Sequence, residues 1–234
     1  MADYLLFTCE HGGNAVPPGY RHLFRDLKEP LETHAGYDIG ALLMAREFAD
    51  TFKAPLLAST TTRLLVDLNR SAHHRRLHVH AVRESSREVR EQILAEHYLP
   101  YRTQVEEAVA KAIARGRRVI HISAHSFTPE LNGRVRNADV GLLYDPARAG
   151  EVRVCAQWKG ALGAAAPKLR IRRNYPYTGS DDGFMPYLRK QYRPAAYVGI
   201  EVEVNQAIVL GPPRQWAGLR LALIASLRVV LQST

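Results

Sequence analysis

The stretch Tyr4–Pro18, YLLFTCEHGGNAVPP, determines how the rest of the chain is arranged. Its apolar start, Tyr4 to Phe7, is typical of a buried strand. The strand runs into Glu10 and His11, and two glycines then turn the chain sharply. In an open α/β sheet, ligands bind at the carboxyl ends of the strands. The stretch therefore predicts a strand that carries a carboxylate and an imidazole to the ligand-binding edge of a sheet.

Two later strands end in side chains of the same kind. One runs from Val119 to Ala124 and leads into His125, and the other starts at Val198 and carries Glu203 close to its end. If the three ends share one edge, two imidazoles and a carboxylate surround one cleft, which is the composition of a zinc hydrolase site. The alternative stays open, because a histidine after a strand is often a packing residue and a glutamate on a strand often faces solvent.

Helical patterns separate the predicted strands. Helices are predicted at residues 37–52, 85–116 with an interruption at Pro100, 148–164 and 216–230, and further strands at residues 54–59, 64–66, 140–144 and 169–171. This alternation predicts an α/β fold with a mixed, mainly parallel sheet flanked by helices. The chain shows neither a repeat nor a linker, so we expect a single domain over residues 1–234.

The composition of the chain limits the cellular locations and the classes of partner that we expect. No apolar run approaches about 20 residues and the N-terminus lacks a signal-peptide pattern, so we expect no membrane span and a cytoplasmic protein. Cys9 and Cys155 are then expected as free thiols rather than a disulfide. The net charge of +9 suits nucleic acid, an anionic membrane or an acidic small substrate. Because no nucleic-acid-binding motif is present, we expect a small anionic substrate and no nucleic acid.

Several polar residues have a functional and a structural interpretation. Asp38 stands where it would cap the helix at 37–52. In TTRLLVDLNRS (residues 61–71), Arg63, Asn69 and Arg70 suit a substrate carboxylate, but an ion pair with the intervening aspartate explains the arginines equally well. The four histidines between residues 73 and 80 indicate either a metal-binding tract or a mobile basic flap. Tyr177 lies in a loop predicted at residues 173–190, which is either a lid over the substrate or an ordinary surface loop.

A set of segments in fixed order resembles the N-formylglutamate amidohydrolase family over residues 10–206. The segments are CEHGGNAVP, GYDIGA, TRLLVDLNRS, HISAHSF, DVGLLYD, NYPYTGSDDG and IEVEVNQ. The resemblance implies a zinc-carboxypeptidase-like (phosphorylase/hydrolase-like) fold, similar also to aspartoacylases, with one zinc ion per chain at the strand ends. It also implies His11 and His125 as zinc ligands. The carboxypeptidases supply a glutamate three residues after the first histidine, where this chain has Asn14, so the third ligand is expected to be Asp38 or, as second choice, Glu10.

The resemblance assigns the remaining roles as well. Glu203 would be the general base, and Asn69 and Arg70, joined by Arg63, would hold the substrate carboxylate. Arg134 or Arg136 would donate a hydrogen bond to the oxyanion.

The implied reaction is the hydrolysis of N-formyl-L-glutamate to formate and L-glutamate in amino-acid degradation. The branch of the family that acts in histidine degradation usually carries His-Ser-Gly at the first ligand, whereas this chain has His11-Gly12-Gly13. Another N-acyl amino acid or a small peptide therefore stays an alternative substrate, and a metal-free binding or regulatory module on the same fold stays an alternative function.

Overall fold

The computed structural model describes residues 3–232, and its centre is a six-stranded sheet. Its strands are β1 (Tyr4–Cys9), β2 (Leu56–Ala58), β3 (Val119–Phe127), β6 (Val140–Leu143), β7 (Ile171–Arg173) and β8 (Tyr197–Asn205). A separate antiparallel hairpin consists of β4 (Glu130–Leu131) and β5 (Arg134–Val135). The predicted domain, residues 1–234, extends past the described residues at both ends, and the single-domain organisation stays a prediction.

The strand order across the sheet is β2-β1-β3-β8-β6-β7. Strands β2, β1, β3 and β8 are parallel neighbours, whereas β6 runs antiparallel to β8 and β7 lies parallel to β6. Four adjacent strands therefore share one direction, and their carboxyl ends share one edge.

Helices cover both faces of the sheet. They are α1 (Lys28–Leu31), α2 (Ala41–Phe52), α3 (His80–Arg83), α4 (Arg87–Ile93), α5 (Leu99–Ala114), α6 (Ala149–Ala165), α7 (Phe184–Gln191), α8 (Gln206–Val209) and α9 (Pro213–Gln232), with a 3₁₀ turn at Pro18–Phe24 and a π segment at Leu94–Tyr98. One core joins α2, α6 and α9 to the sheet, and a second core joins α4, α5 and α7 to the opposite face. The predicted mixed, mainly parallel sheet flanked by helices is confirmed.

The two faces of the central strands differ in chemistry because neighbouring side chains alternate across a sheet. On β3, Ile120, Ile122 and Ala124 pack into the first core. The alternate residues of the same strand, His121, Ser123 and His125, are equally buried but polar. Buried polar groups need hydrogen-bond partners. The face that carries these three residues is therefore the face on which a polar site can form.

Two local predictions are wrong. The apolar residues 64–66 do not form a strand: Leu64 and Leu65 lie in a turn, because the Thr62 hydroxyl and carbonyl accept their backbone N–H groups. The predicted loop at 173–190 ends early, since α7 starts at Phe184. Phe184 and Leu188 lie four residues apart and are both buried, which is helical spacing.

The helix around Pro100 differs from the expected interruption. Instead of a break, the π segment Leu94–Tyr98 joins α4 to α5, and Pro100 lies in the first turn of α5. Proline lacks the N–H group that continues an α-helical hydrogen-bond ladder, and the change from π to α spacing lies directly beside Pro100. Among residues 3–232, no helix combines the length and the apolar character that crossing a bilayer requires.

Candidate metal centre

The predicted strand ends meet at one edge of the sheet, because β1, β3 and β8 are parallel neighbours. His125 on β3 is the register partner of Glu203 on β8. Glu10 and His11 directly follow β1, and Gly12 keeps this turn close to the neighbouring backbone: a Cβ there would lie 2.8 Å from the carbonyl oxygen of Ser59.

His11, Asp38 and His125 form a compact, buried cluster at this edge. The Asp38 Oδ2 atom lies 3.4 Å from His11 Nδ1 and 2.7 Å from His125 Nδ1. One ligand atom from each residue lies within 4.8 Å of the other two. The Asp38 side chain does not cap α2, because it precedes Gly40, the residue at the helix N-cap. Its backbone N–H donates to the His11 carbonyl over 2.9 Å and keeps the two residues together.

Each histidine of the cluster has a second carboxylate on its far side. His11 Nε2 lies 2.7 Å from Asp67 Oδ1. His125 Nε2 lies 2.9 Å from Ser123 Oγ and 3.3 Å from Glu10 Oε2, and the Ser123 hydroxyl donates to the same Glu10 oxygen over 2.5 Å. Such partners fix the tautomer and the orientation of a metal-binding imidazole. Glu10, our second choice for the third ligand, therefore lies behind His125 instead of beside Asp38.

The carboxylates control the charge of the two rings. Burial alone would lower the pKa of His125, but hydrogen bonds with Asp38 and Glu10 outweigh it and raise that pKa well above its usual range. Burial and Arg63 also oppose the protonation of His11, yet Asp67 and Asp38 raise its pKa. A cation between these carboxylates is thus favoured, whether it is a proton on each ring or a metal ion.

Glu203 and Glu201 stand on β8 beside this cluster and point to the same face of the sheet. Burial raises the pKa of Glu203 to about 7; His125 opposes the rise, while Asp38 and Glu201 add to it. Within the described structure, the buried Oε2 atom of Glu203 has no hydrogen-bond partner. Burial also raises the pKa of Glu201, which accepts a hydrogen bond from Asn69 Nδ2 over 3.3 Å.

A cavity of about 110 Å³ opens in front of the cluster. It brings together all four side chains that were predicted to bind substrate, namely Arg63, Asn69, Arg70 and Tyr177, with His11, Asp38, His125 and Glu203. The guanidinium of Arg63 already bridges two carboxylates, Asp38 over 3.1 Å and Asp67 over 2.7 Å. Arg70 donates to the Asp182 carbonyl over 2.8 Å.

The structure does not bring Arg134 to this cavity. Arg134 is exposed on the short hairpin strand β5, and it is absent from the cavity lining. Arg136 is also absent from the cavity lining, but its guanidinium carbon lies 4.9 Å from the centroid of the ring of Tyr177, which does line the cavity. One buried nitrogen of Arg136 has no hydrogen-bond partner in the described part of the chain.

The donor set fits a zinc ion. Zinc prefers imidazole nitrogen and carboxylate oxygen ligands, and hydrolytic sites use three protein ligands. Here two ring nitrogens face one carboxylate oxygen, and both rings are backed by hydrogen-bond acceptors. Within residues 3–232 no other group of three histidine, cysteine or acidic residues has this spacing, so the histidines at 73–80 do not form a second such cluster.

Sequence reasoning missed three contributors to the site. The sequence pattern indicates Asp67 only as a partner of the arginines; its contact with His11 joins residues 56 positions apart, and Asp67 itself lies outside any helix or strand. Tyr101, which donates to Glu10 over 3.0 Å, lies 91 residues away from it. Glu201 gave a usable signal, because it precedes Glu203 by two residues on a strand and must therefore share its face.

Fold and cluster together define an α/β protein with a candidate metal site at the carboxyl edge of its sheet. A family model for N-formylglutamate amidohydrolase matches residues 4–210. The chain therefore belongs to the N-formylglutamate amidohydrolase family, whose members hydrolyse amide bonds.

Two solved structures resemble this chain over nearly its whole length. A gene product of Agrobacterium tumefaciens is 27% identical with a TM-score of 0.84, and the match covers 99% of this chain and 91% of that one. An N-formylglutamate amidohydrolase from Ralstonia eutropha is 18% identical with a TM-score of 0.69, covering 98% and 93%. At 18% identity, the similarity to the Ralstonia eutropha protein shows a shared fold and nothing further. The comparison with curated proteins finds no match.

Proposed function

We propose that this protein uses one zinc ion to hydrolyse the amide bond of a small N-acyl amino acid, and that its substrate is N-formyl-L-glutamate. The observation that carries the proposal is the approach of His11, Asp38 and His125 to one another beside the buried Glu203 carboxylate. The cavity, at about 110 Å³, is well above the roughly 10–15 Å³ that a single water molecule needs, which suits a small substrate.

The nitrogens His11 Nδ1 and His125 Nδ1 and the Asp38 carboxylate would hold the metal. When bound, zinc would supply a Lewis acid that polarises the acyl carbonyl and makes water more acidic. Asp67 and the Ser123–Glu10 pair would keep each ring turned with its Nδ1 atom toward the ion.

Glu203 would move the proton. A carboxylate whose pKa is about 7 can accept a proton from the attacking water near neutral pH and return it to the leaving nitrogen. Its Oε2 atom, unpartnered among the described residues, is the atom available for this transfer. The products would be formate and L-glutamate.

The α-carboxylate of the substrate would bind to Asn69 and Arg70 at the rim of the cavity. Arg63 faces the same space, but its ion pairs with Asp38 and Asp67 give it the additional task of orienting these carboxylates. Arg136, rather than the exposed Arg134, would act with Tyr177 on the acyl oxygen, because its guanidinium lies against the Tyr177 ring.

The proposal is tested by measuring zinc per chain and the hydrolysis of N-formyl-L-glutamate in the same preparations. We expect about one zinc per chain in the wild type, and loss of both zinc and turnover in His125→Ala. Glu203→Gln should keep the zinc and lose most turnover. The matched control is His80→Ala, at an exposed histidine outside the cavity, which should change neither quantity.

Each outcome separates the competing functions. Zinc binding without turnover of N-formyl-L-glutamate would reject that substrate, and a panel of other N-acyl amino acids and small peptides would follow. A wild-type protein that takes up no zinc and hydrolyses none of these compounds would contradict the proposal and favour a metal-free binding module. Full activity in Glu203→Gln would remove Glu203 as the proton carrier.

A further inference from the structure

Arg102 on α5 is a buried arginine whose position is unusual for a cation. The residue is 5% exposed, and it forms no ion pair among residues 3–232. A buried cation without a counter-ion is costly unless other groups stabilise it. The groups that surround Arg102 should therefore stabilise its positive charge, and its hydrogen bonds should indicate its role.

Three aromatic rings surround the guanidinium of Arg102. Its central carbon lies 3.9 Å from the ring centroid of Phe184, 4.7 Å from that of Tyr187 and 5.1 Å from that of Tyr98. Cation–π attraction of this kind is strongest when the cation is removed from water. The planar guanidinium can lie against the rings and still direct its N–H groups sideways.

Those N–H groups donate to the segment that carries the substrate-binding side chains. Arg102 donates to the carbonyl of Arg70 over 3.1 Å and to that of Leu68 over 3.4 Å. The hydroxyl of Tyr98, at the end of the π segment, donates to the same Arg70 carbonyl over 2.7 Å. Asn69 lies between these two carbonyls, and its Oδ1 atom accepts the backbone N–H of Phe184 over 2.8 Å.

We propose that Arg102 is a positioning residue for substrate binding: it holds the backbone on both sides of Asn69, and so fixes Asn69 and Arg70 at the rim of the cavity. This inference rests on the proposed function, in which these two side chains bind the substrate carboxylate. Arg102 itself does not line the cavity, so it acts only through the segment that it holds.

Arg102→Met tests the proposal, because methionine fills the space between the rings but removes the donors and the charge. We expect the KM for N-formyl-L-glutamate to rise at least tenfold, while kcat changes less than threefold. A substrate that lacks the α-carboxylate, 4-formamidobutanoate, should have the same kcat/KM in both proteins.

Arg102→Lys keeps the positive charge and can still donate to one of the two carbonyls, so its KM should lie between those of the wild type and Arg102→Met. Arg87→Met, at an exposed arginine of α4, is the matched control and should behave like the wild type.

Hydrogen exchange supplies a measurement that does not depend on turnover. Exchange of the amides at residues 69–71 should become faster in Arg102→Met, with zinc content unchanged. Equal losses with both substrates, or unchanged KM, would overturn the positioning role. If the wild type does not hydrolyse N-formyl-L-glutamate, the proposed function fails. In that case faster exchange in Arg102→Met keeps the role in holding the segment, and unchanged exchange overturns it too.

Discussion

Individual side chains in the metal site work in pairs, each histidine with its own carboxylate. His11 is held by Asp67 and His125 by Glu10 through Ser123, so neither ring is free to rotate away from Asp38. The affinity for zinc should consequently depend on residues that never touch the ion.

Asp67→Asn tests this dependence at one residue. The amide is nearly the same size, but it loses the charge that both His11 and the Arg63 guanidinium contact over 2.7 Å. We expect zinc affinity to fall by about 10- to 100-fold, measured by competition with a chromophoric chelator. The control Asp50→Asn, at an exposed position of α2, should leave the affinity unchanged. Wild-type affinity in Asp67→Asn would show that the contact with Asp67 is not needed to orient His11.

Helices α6 and α7 attach the loop that carries Tyr177 to the sheet through a buried ion network. Glu151 on α6 is fully buried and lies 3.0 Å from Arg189 Nε and 3.4 Å from Arg148 Nε. Arg189 also donates to the carbonyls of Gly179, in the loop, and Gly199, in β8. The network therefore joins two helices, a strand and the loop at one point.

Glu151→Gln should destabilise the protein strongly, because it leaves two buried arginines without their counter-ion. Removing one partner of a buried ion pair costs about 3–5 kcal/mol in the free energy of unfolding, measurable by urea denaturation. Glu91→Gln is the control: Glu91 pairs with Arg87 on the surface of α4, where water screens the charges and the expected loss is far smaller. A similarly small loss in Glu151→Gln would mean that the network does not stabilise the attachment.

Over the whole molecule, the sequence predicted those parts of the fold and of the site in which a regular pattern of apolar residues indicates a buried strand or helix. The strands that lead to His11, His125 and Glu203 were visible as apolar runs, and their parallel order put them on one edge. Side-chain contacts that depend on irregular backbone could not be predicted from the sequence. The contact between His11 and Asp67 depends on the turn at residues 62–65, which a hydroxyl group stabilises and whose apolar residues imitate a strand. The cluster was thus predictable in outline, whereas the carboxylates behind it were not.

The polar face that supports the site also makes the stability of the whole fold depend on pH. His121 is fully buried and connects three strands, with Nε2 2.8 Å from the Thr8 hydroxyl and Nδ1 2.8 Å from that of Tyr197. Burial lowers the pKa of His121 to about 4; Glu10 opposes this shift, and Arg189 and His125 add to it. In the unfolded chain the pKa returns to about 6.5. Below pH 6.5 the unfolded state therefore binds more protons, and stability is lost as the pH falls toward 4.

The contribution of His121 is isolated by comparison with His121→Gln, because His11, His125 and the carboxylates titrate in both proteins. The free energy of unfolding of the wild type, relative to the variant, should fall by about 2 kcal/mol between pH 7 and pH 5, since 1.5 pH units below 6.5 correspond to that amount. Urea denaturation of both proteins at a series of pH values measures it. Parallel stability curves would mean that His121 is not held neutral in the fold. A decrease that begins near pH 6.5 and continues toward pH 4 would show that the fold keeps the His121 ring neutral at the centre of the sheet.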